Sequence, residues 1–254
     1  MSHLKADIPQ PRQGKAYDPS PPRHPSLTPQ WRWAQKNVVD VRFIQRTMLL
    51  GFSKFKILSR TKKGRAELIR LLLTYADIPF DDHLLRDLDW KCLMCKMPYG
   101  NLPVLWIDHN VYGEPSAIIR FLARHLGLLG NSETESLTAE AVLHQVQDLK
   151  ESEVMQKAYE EMQELPDDNF EKLMKVLLPQ HFTFWTNHVQ STPGPFILGS
   201  GISVADLAIY DFINQYKNYI PLHNLLIDYK DLHFLCTQVK LHPRLAQYIK
   251  RNDD

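Results

Sequence analysis

Three stretches of this 254-residue chain carry residue types that could do chemistry. The first, Gly64-Arg65-Ala66-Glu67-Leu68-Ile69-Arg70, follows a basic turn in which Ser59 and Thr61 alternate with Arg60, Lys62 and Lys63. Hydroxyls and cations in one turn can hold an anion or favour a thiolate over a thiol. The second, Pro98-Tyr99-Gly100-Asn101-Leu102-Pro103-Val104-Leu105, contains an X–Pro bond. Its trans preference is only ~0.5–1 kcal/mol, so a cis turn is accessible there. Just beyond it, Ser116 stands at a helix start, where free backbone N–H groups bind carboxylates. The third, Ser203-Val204-Ala205-Asp206, has the spacing of a capping box.

Other candidate chemistry is weaker. Cys92-Leu93-Met94-Cys95 has redox spacing but lies well past the strand-to-helix turn where such a pair would act, so it reads as two reduced, structural thiols. His181 and His188 share a helix face with no third ligand nearby, and no metal site is expected. Phosphate-loop, nucleophile-elbow and His-Glu-x-x-His patterns do not occur.

These stretches need elements to position them. Phe55–Leu58 reads as a strand, Ala66–Tyr75 as a helix with a broad apolar face, and Phe80–Leu85 as a second strand. Trp90–Met97 is a short helical or irregular stretch. Pro103–Ile107 and Asn110–Tyr112 flank a hairpin turn, and Pro115–Leu126 is a helix. Beyond Gly130 only helical patterns occur: Ala139–Glu164, Phe170–His188, Val204–Tyr216, Leu225–Leu241 and Arg244–Lys250. The expected fold is therefore an α/β N-terminal domain over residues 54–131 and an all-α C-terminal domain over residues 132–254.

Residues 1–53 stand apart. Positions 1–50 hold eight basic against three acidic side chains, and seven of the seventeen prolines precede residue 30. Such a segment cannot offset its ordering entropy by burial, so a disordered basic tail is expected, with Trp31–Phe52 as a loosely docked amphipathic appendage. The whole chain is 44% hydrophobic and carries a net charge of only +1, so nothing marks it as a nucleic-acid binder and no nucleic-acid partner is expected. No apolar run reaches the ~18 residues of a membrane span. Three cysteines make no disulfide framework, and a cytoplasmic location is expected.

In order and spacing, the Gly64–Arg70, Pro98–Leu105 and Ser200–Leu207 motifs resemble those of the cytosolic glutathione transferases, nearest the sigma class of prostaglandin D synthases and S-crystallins. The resemblance covers roughly Lys54 to Asp254. It implies a thioredoxin-like first domain, a homodimer, glutathione as co-substrate, and an apolar electrophile as second substrate. It also implies a cis bond before Pro103, with the Leu102 backbone along the peptide-like middle of glutathione and Ser116 at its γ-glutamyl carboxylate. Arg65 braces that site, Trp90 contacts the glycine end, and Asp148 reaches the partner subunit's glutathione amine.

Four departures accompany the resemblance, one of them Met94 in place of a family lysine that faces the glycine carboxylate. The sigma-class tyrosine that hydrogen-bonds the sulfur falls on Ser59, while classes that use serine place it nearer Thr61. These two hydroxyls are the catalytic candidates. Asn101 stands where the family has a lysine, and Pro115 where it has a glutamine. A conjugating enzyme is the expected function, with a catalytically weak or inactive relative as the alternative.

Overall fold

β1 (Phe55–Ser59) is a strand because its Phe, Ile and Leu face apolar surroundings on both sides. In the computed structural model, which describes residues 53–161, 168–199, 201–218 and 220–252, β1 is a central strand of a four-stranded sheet ordered β2-β1-β3-β4. The tail and the Trp31–Phe52 appendage lie outside the described residues, apart from Ser53. β2 (Phe80–Leu84) pairs parallel with β1, and β3 (Val104–Ile107) pairs antiparallel on its other side. β4 (Asn110–Tyr112) closes the edge against β3.

Between β1 and β2 runs α1 (Glu67–Tyr75), buried on every side from Glu67 to Leu73. A helix apolar all round belongs inside a core. α1 does so by packing both on α3 (Pro115–His125) and on the helical half. Ahead of the sheet's hairpin, α2 (Asp87–Leu93) and two 3₁₀ turns, Met94–Lys96 and Pro98–Gly100, contain no buried residue.

The join at Gly130 requires glycine: it adopts φ +87°, and a Cβ there would stand 2.5 Å from that of Glu135. The helices that follow are α4 (Glu133–Glu151), α5 (Glu153–Glu161), α6 (Asp168–Lys172), α7 (Leu178–Gln190), α8 (Val204–Tyr216), α9 (Leu222–Leu226), α10 (Lys230–Leu241) and α11 (Ala246–Asn252). Three expected helices are interrupted. Ser152 breaks Ala139–Glu164: its hydroxyl donates to the carbonyl of Leu149 and accepts the Met155 N–H, ending one helix and capping the next. Phe170–His188 widens into a π turn, Leu173–Leu177, just before Pro179, whose ring nitrogen offers no N–H to the preceding turn. Leu225–Leu241 is divided at Ile227–Tyr229.

α8 begins as the Ser203/Asp206 spacing requires. The Asp206 carboxylate, fully buried, accepts the Ser203 N–H at 2.8 Å, the Ser203 hydroxyl at 2.6 Å and the Ile197 N–H at 2.8 Å. One continuous hydrophobic core joins α1, α3, α4, α7, α8 and α10.

Candidate active site

The end of β1 lies beside the turn that leads into β3. Leu58 pairs with Val104, so Ser59 lies across from Pro103, and the Leu102–Pro103 peptide bond is cis. Among the described residues, the backbone N–H and C=O of Leu102 have no backbone partner. α3 then starts at Pro115, after Glu114 at φ 60°, which makes Ser116 the second helical residue and not the cap.

A cavity of about 460 Å³ opens between the α/β and helical halves. Arg65 and Ser116 line it from the α/β half, with Leu68, Pro115 and Ile119. From the helical half come Leu143, Val146, Gln147, Lys150, Glu151 and Gln156 of α4 and α5, and Ala208, Asp211, Gln215 and Tyr216 of α8. Both sides of the wall thus mix apolar and polar groups. Of the nine expected site residues, only Arg65 and Ser116 share this cavity.

Ser59 points the other way. Its buried hydroxyl accepts Nη2 of Arg70 at 2.6 Å and donates to the carbonyl of Thr61 at 3.2 Å. Thr61, exposed, donates its hydroxyl to the carbonyl of Lys63. A Cβ on Gly64 would lie 3.0 Å from Thr61 Oγ1 and 4.0 Å from Gln215 Nε2, so Thr61 stands near the cavity rim. Trp90 is half-buried on α2, and Asn101 is exposed before β3. Asp148, exposed on α4, makes its field felt at His181 of α7, where burial lowers the imidazole's pKa and Asp148 opposes it.

Beneath the turn lies a group that sequence reading had not assigned. The guanidinium of Arg70 is 1% exposed. It donates to Asp82 of β2 at 2.9 Å, to the carbonyls of Lys62 at 2.7 Å and Thr61 at 3.3 Å, and to Glu67 at 3.3 Å. The Tyr248 hydroxyl of α11 meets both Glu67 oxygens at 3.1 Å. Burial, and then the nearby Asp211 charge, push the Glu67 carboxyl up from 4.5 to about 7, while Arg70 and the Tyr248 hydrogen bond pull it down. Asp211 in turn pairs with Lys150 at 2.6 Å. The Glu67/Arg70 spacing inside an otherwise apolar helix is the one local signal of this network. Lys150 and Asp211, far apart in the chain, leave none.

Known proteins share this arrangement. Residues 147–252 match the family model for the glutathione S-transferase C-terminal domain. A glutathione S-transferase of Anopheles gambiae is 27% identical over 78% of this chain and 96% of its own length. The human hematopoietic prostaglandin D synthase is 25% identical over the same shares. The chain carries a glutathione S-transferase C-terminal domain and is similar to glutathione S-transferases over most of its length. Among solved structures, the glutathione S-transferase of Ascaris lumbricoides has a TM-score of 0.69 at 24% identity, covering 78% of this chain and 97% of its own. A rat hPGDS complexed with a quinoline reaches 0.66 at 24% identity, over 78% and 96%.

As in the fold of these glutathione S-transferases, a small sheet with helices precedes an all-helical half. Among the described residues, no three His, Cys, Asp or Glu side chains are grouped to hold a metal ion.

Proposed function

We propose that the chain is a glutathione transferase, adding the glutathione thiol to an electrophile held in the cavity between its halves. The observation that carries this reading is the meeting of Arg65 and Ser116 on one cavity whose far wall comes from α4, α5 and α8. Glutathione lies along the Leu102 backbone as an added strand edge. Its γ-glutamyl carboxylate faces Ser116 and the start of α3, where Pro115 has removed one amide. Arg65 braces the tripeptide, with Trp90 and Asn101 toward its glycine end and Asp148 of the partner subunit toward its amine. The electrophile lies against Leu68, Ile119 and Leu143. Isomerisation of a lipid peroxide is a sub-case of the same chemistry, supported by the prostaglandin D synthase relatives.

The sulfur needs a donor. Bringing a thiol of pKa ~8.5 down by about two units takes ~2.7 kcal/mol of selective thiolate stabilisation. One charge-assisted hydrogen bond supplies ~1.5–3 kcal/mol, against ~1 kcal/mol for turning a hydroxyl away from a neutral carbonyl. Thr61, exposed and held only by the Lys63 carbonyl, can make that exchange. Ser59, buried under Arg70, would also strand a guanidinium N–H. Thr61 is therefore the donor in this proposal, and Ser59 a support for the turn.

A second reading, a glutathione-binding relative with little or no turnover, is favoured by both hydroxyls already donating to backbone carbonyls. Retention on immobilised glutathione followed by conjugation of a generic electrophile separates the two. Retention with turnover that falls at least tenfold in Thr61→Ala and survives in Thr61→Ser supports the enzyme. Retention without turnover favours the binding protein, and no retention removes both. A sigma-class-like homodimer in the cytoplasm completes the reading. It is supported by the prostaglandin D synthase relatives and by free cysteines; no described helix is long and apolar enough to cross a membrane.

A further inference from the structure

Cys92 and Cys95 are not packed thiols. Both are exposed, whereas Cys236 is buried and its thiol is pushed up to about 12 by that burial. The pair straddles a change of helix type. Cys92 is in the last turn of α2, and Cys95 is in the 3₁₀ turn Met94–Lys96 that follows, with Leu93 at φ −101°, ψ −22° and Met94 at φ −55°, ψ −39°. Residues three apart on an α-helix have Cβ atoms ~5–6 Å apart, and a 3₁₀ turn brings such residues into eclipse. A disulfide needs ~3.5–4.5 Å between Cβ atoms. Closure thus asks for about 1–2 Å of local movement. The segment that must move, α2 with its two 3₁₀ turns, has no buried residue to hold it, so opening it is cheap. Exposed Lys91 and Lys96 flank the pair and favour the approach of an anionic co-reactant.

We propose that Cys92 and Cys95 form a redox-active dithiol that closes to an intramolecular disulfide by exchange with a low-molecular-weight disulfide such as oxidised glutathione. One cysteine thiolate attacks a sulfur of the small disulfide, forming a mixed disulfide and expelling the first thiolate. The second cysteine thiolate attacks the protein sulfur of that mixed disulfide and expels the other. Two S–H bonds of the chain become one S–S bond, and the small disulfide is reduced to two thiols that take up the two protons. The proposal is independent of the glutathione-transferase reading, because the small disulfide reacts at the pair itself and needs no binding cavity.

The test uses the full chain, incubated with oxidised glutathione and, separately, with neutral hydroxyethyl disulfide, then quenched in acid and weighed intact. The expected product with either probe has lost the mass of two hydrogens. Maleimide-reactive thiols, counted after unfolding, fall from three to one, and peptide mapping finds the remaining one at Cys236. Cys92→Ser and Cys95→Ser, at exposed positions, should each stop at a mixed disulfide carrying one probe moiety. Accumulation of stable mixed disulfides on both cysteines of the unaltered chain overturns the proposal, as do covalent dimers on a non-reducing gel or three thiols still reactive. Closure with oxidised glutathione that saturating S-hexylglutathione blocks would overturn the independence from the cavity.

Discussion

Arg70 is the residue on which the most depends. It reaches a strand, a turn and, through Glu67, the last helix, with its charge taken wholly out of water. Ser59→Ala removes one acceptor from that buried guanidinium and should cost about 1–3 kcal/mol, read as a lowered urea midpoint at unchanged slope. Conjugation per folded molecule should change less than in Thr61→Ala. The neighbouring Glu67 titrates unusually, at about 7 instead of 4.5, because burial disfavours its charged form. A carboxyl whose pKa is raised by folding binds its proton more tightly in the native state. Its stabilisation is therefore complete below pH 4.5 and is lost as pH rises through 7. Asp206, raised to about 6, acts in the same direction, whereas His242, lowered to about 4, acts oppositely. The difference between the unaltered chain and Glu67→Gln isolates the first effect. The unaltered chain should lose stability relative to the variant between pH 4.5 and 7, in chemical melts taken across that range. The position of Ser59 was legible in the sequence, but its direction was not. A partner eleven residues on, across a turn and a helix start, decides which way a serine points.

At the scale of elements, α8 was legible to the residue because its start is a local device: Ser203 and Asp206 cap it through three short bonds. Asp206→Ala removes that cap and strands the Ile197 N–H, and should cost about 2–4 kcal/mol by thermal melting. The sheet strands were legible to within a residue or two, since alternation, prolines and the hairpin turn are all short-range. Ala139–Glu164 was not, because one serine mid-pattern both ends and begins a helix, and periodicity carries no trace of that. Nor was the α4–α8 ion pair. Lys150→Met leaves the Asp211 carboxylate buried without its cation and should destabilise by about 3–5 kcal/mol; adding Asp211→Asn should restore part of the loss, which a double-mutant cycle measures.

For the molecule as a whole, the sequence marked a change of pattern at Gly130, and the secondary structure changes there too. The hydrophobic core does not divide at that glycine. The reason is α1, whose seven consecutive buried residues serve the sheet, α3 and α8 together. Pattern reading could find the helix but not its second client, because a helix buried on all faces looks the same whatever surrounds it. Tyr248, at the far end of the chain, adds a polar tie to the same helix. Unfolding should consequently be one transition, with fluorescence and circular dichroism superimposing across a denaturant series. Two resolved transitions would mean that α1 stays with one half while the other melts.

That sharing limits how such a chain can be cut, grafted or recombined. Severed at Gly130, the leading piece would bare the side of α1 that normally meets α8, a greasy strip with Glu67 set in it. The trailing piece would lack the surface that fills its own groove. Each fragment is expected to aggregate when made alone, and the two to recover only when mixed during refolding.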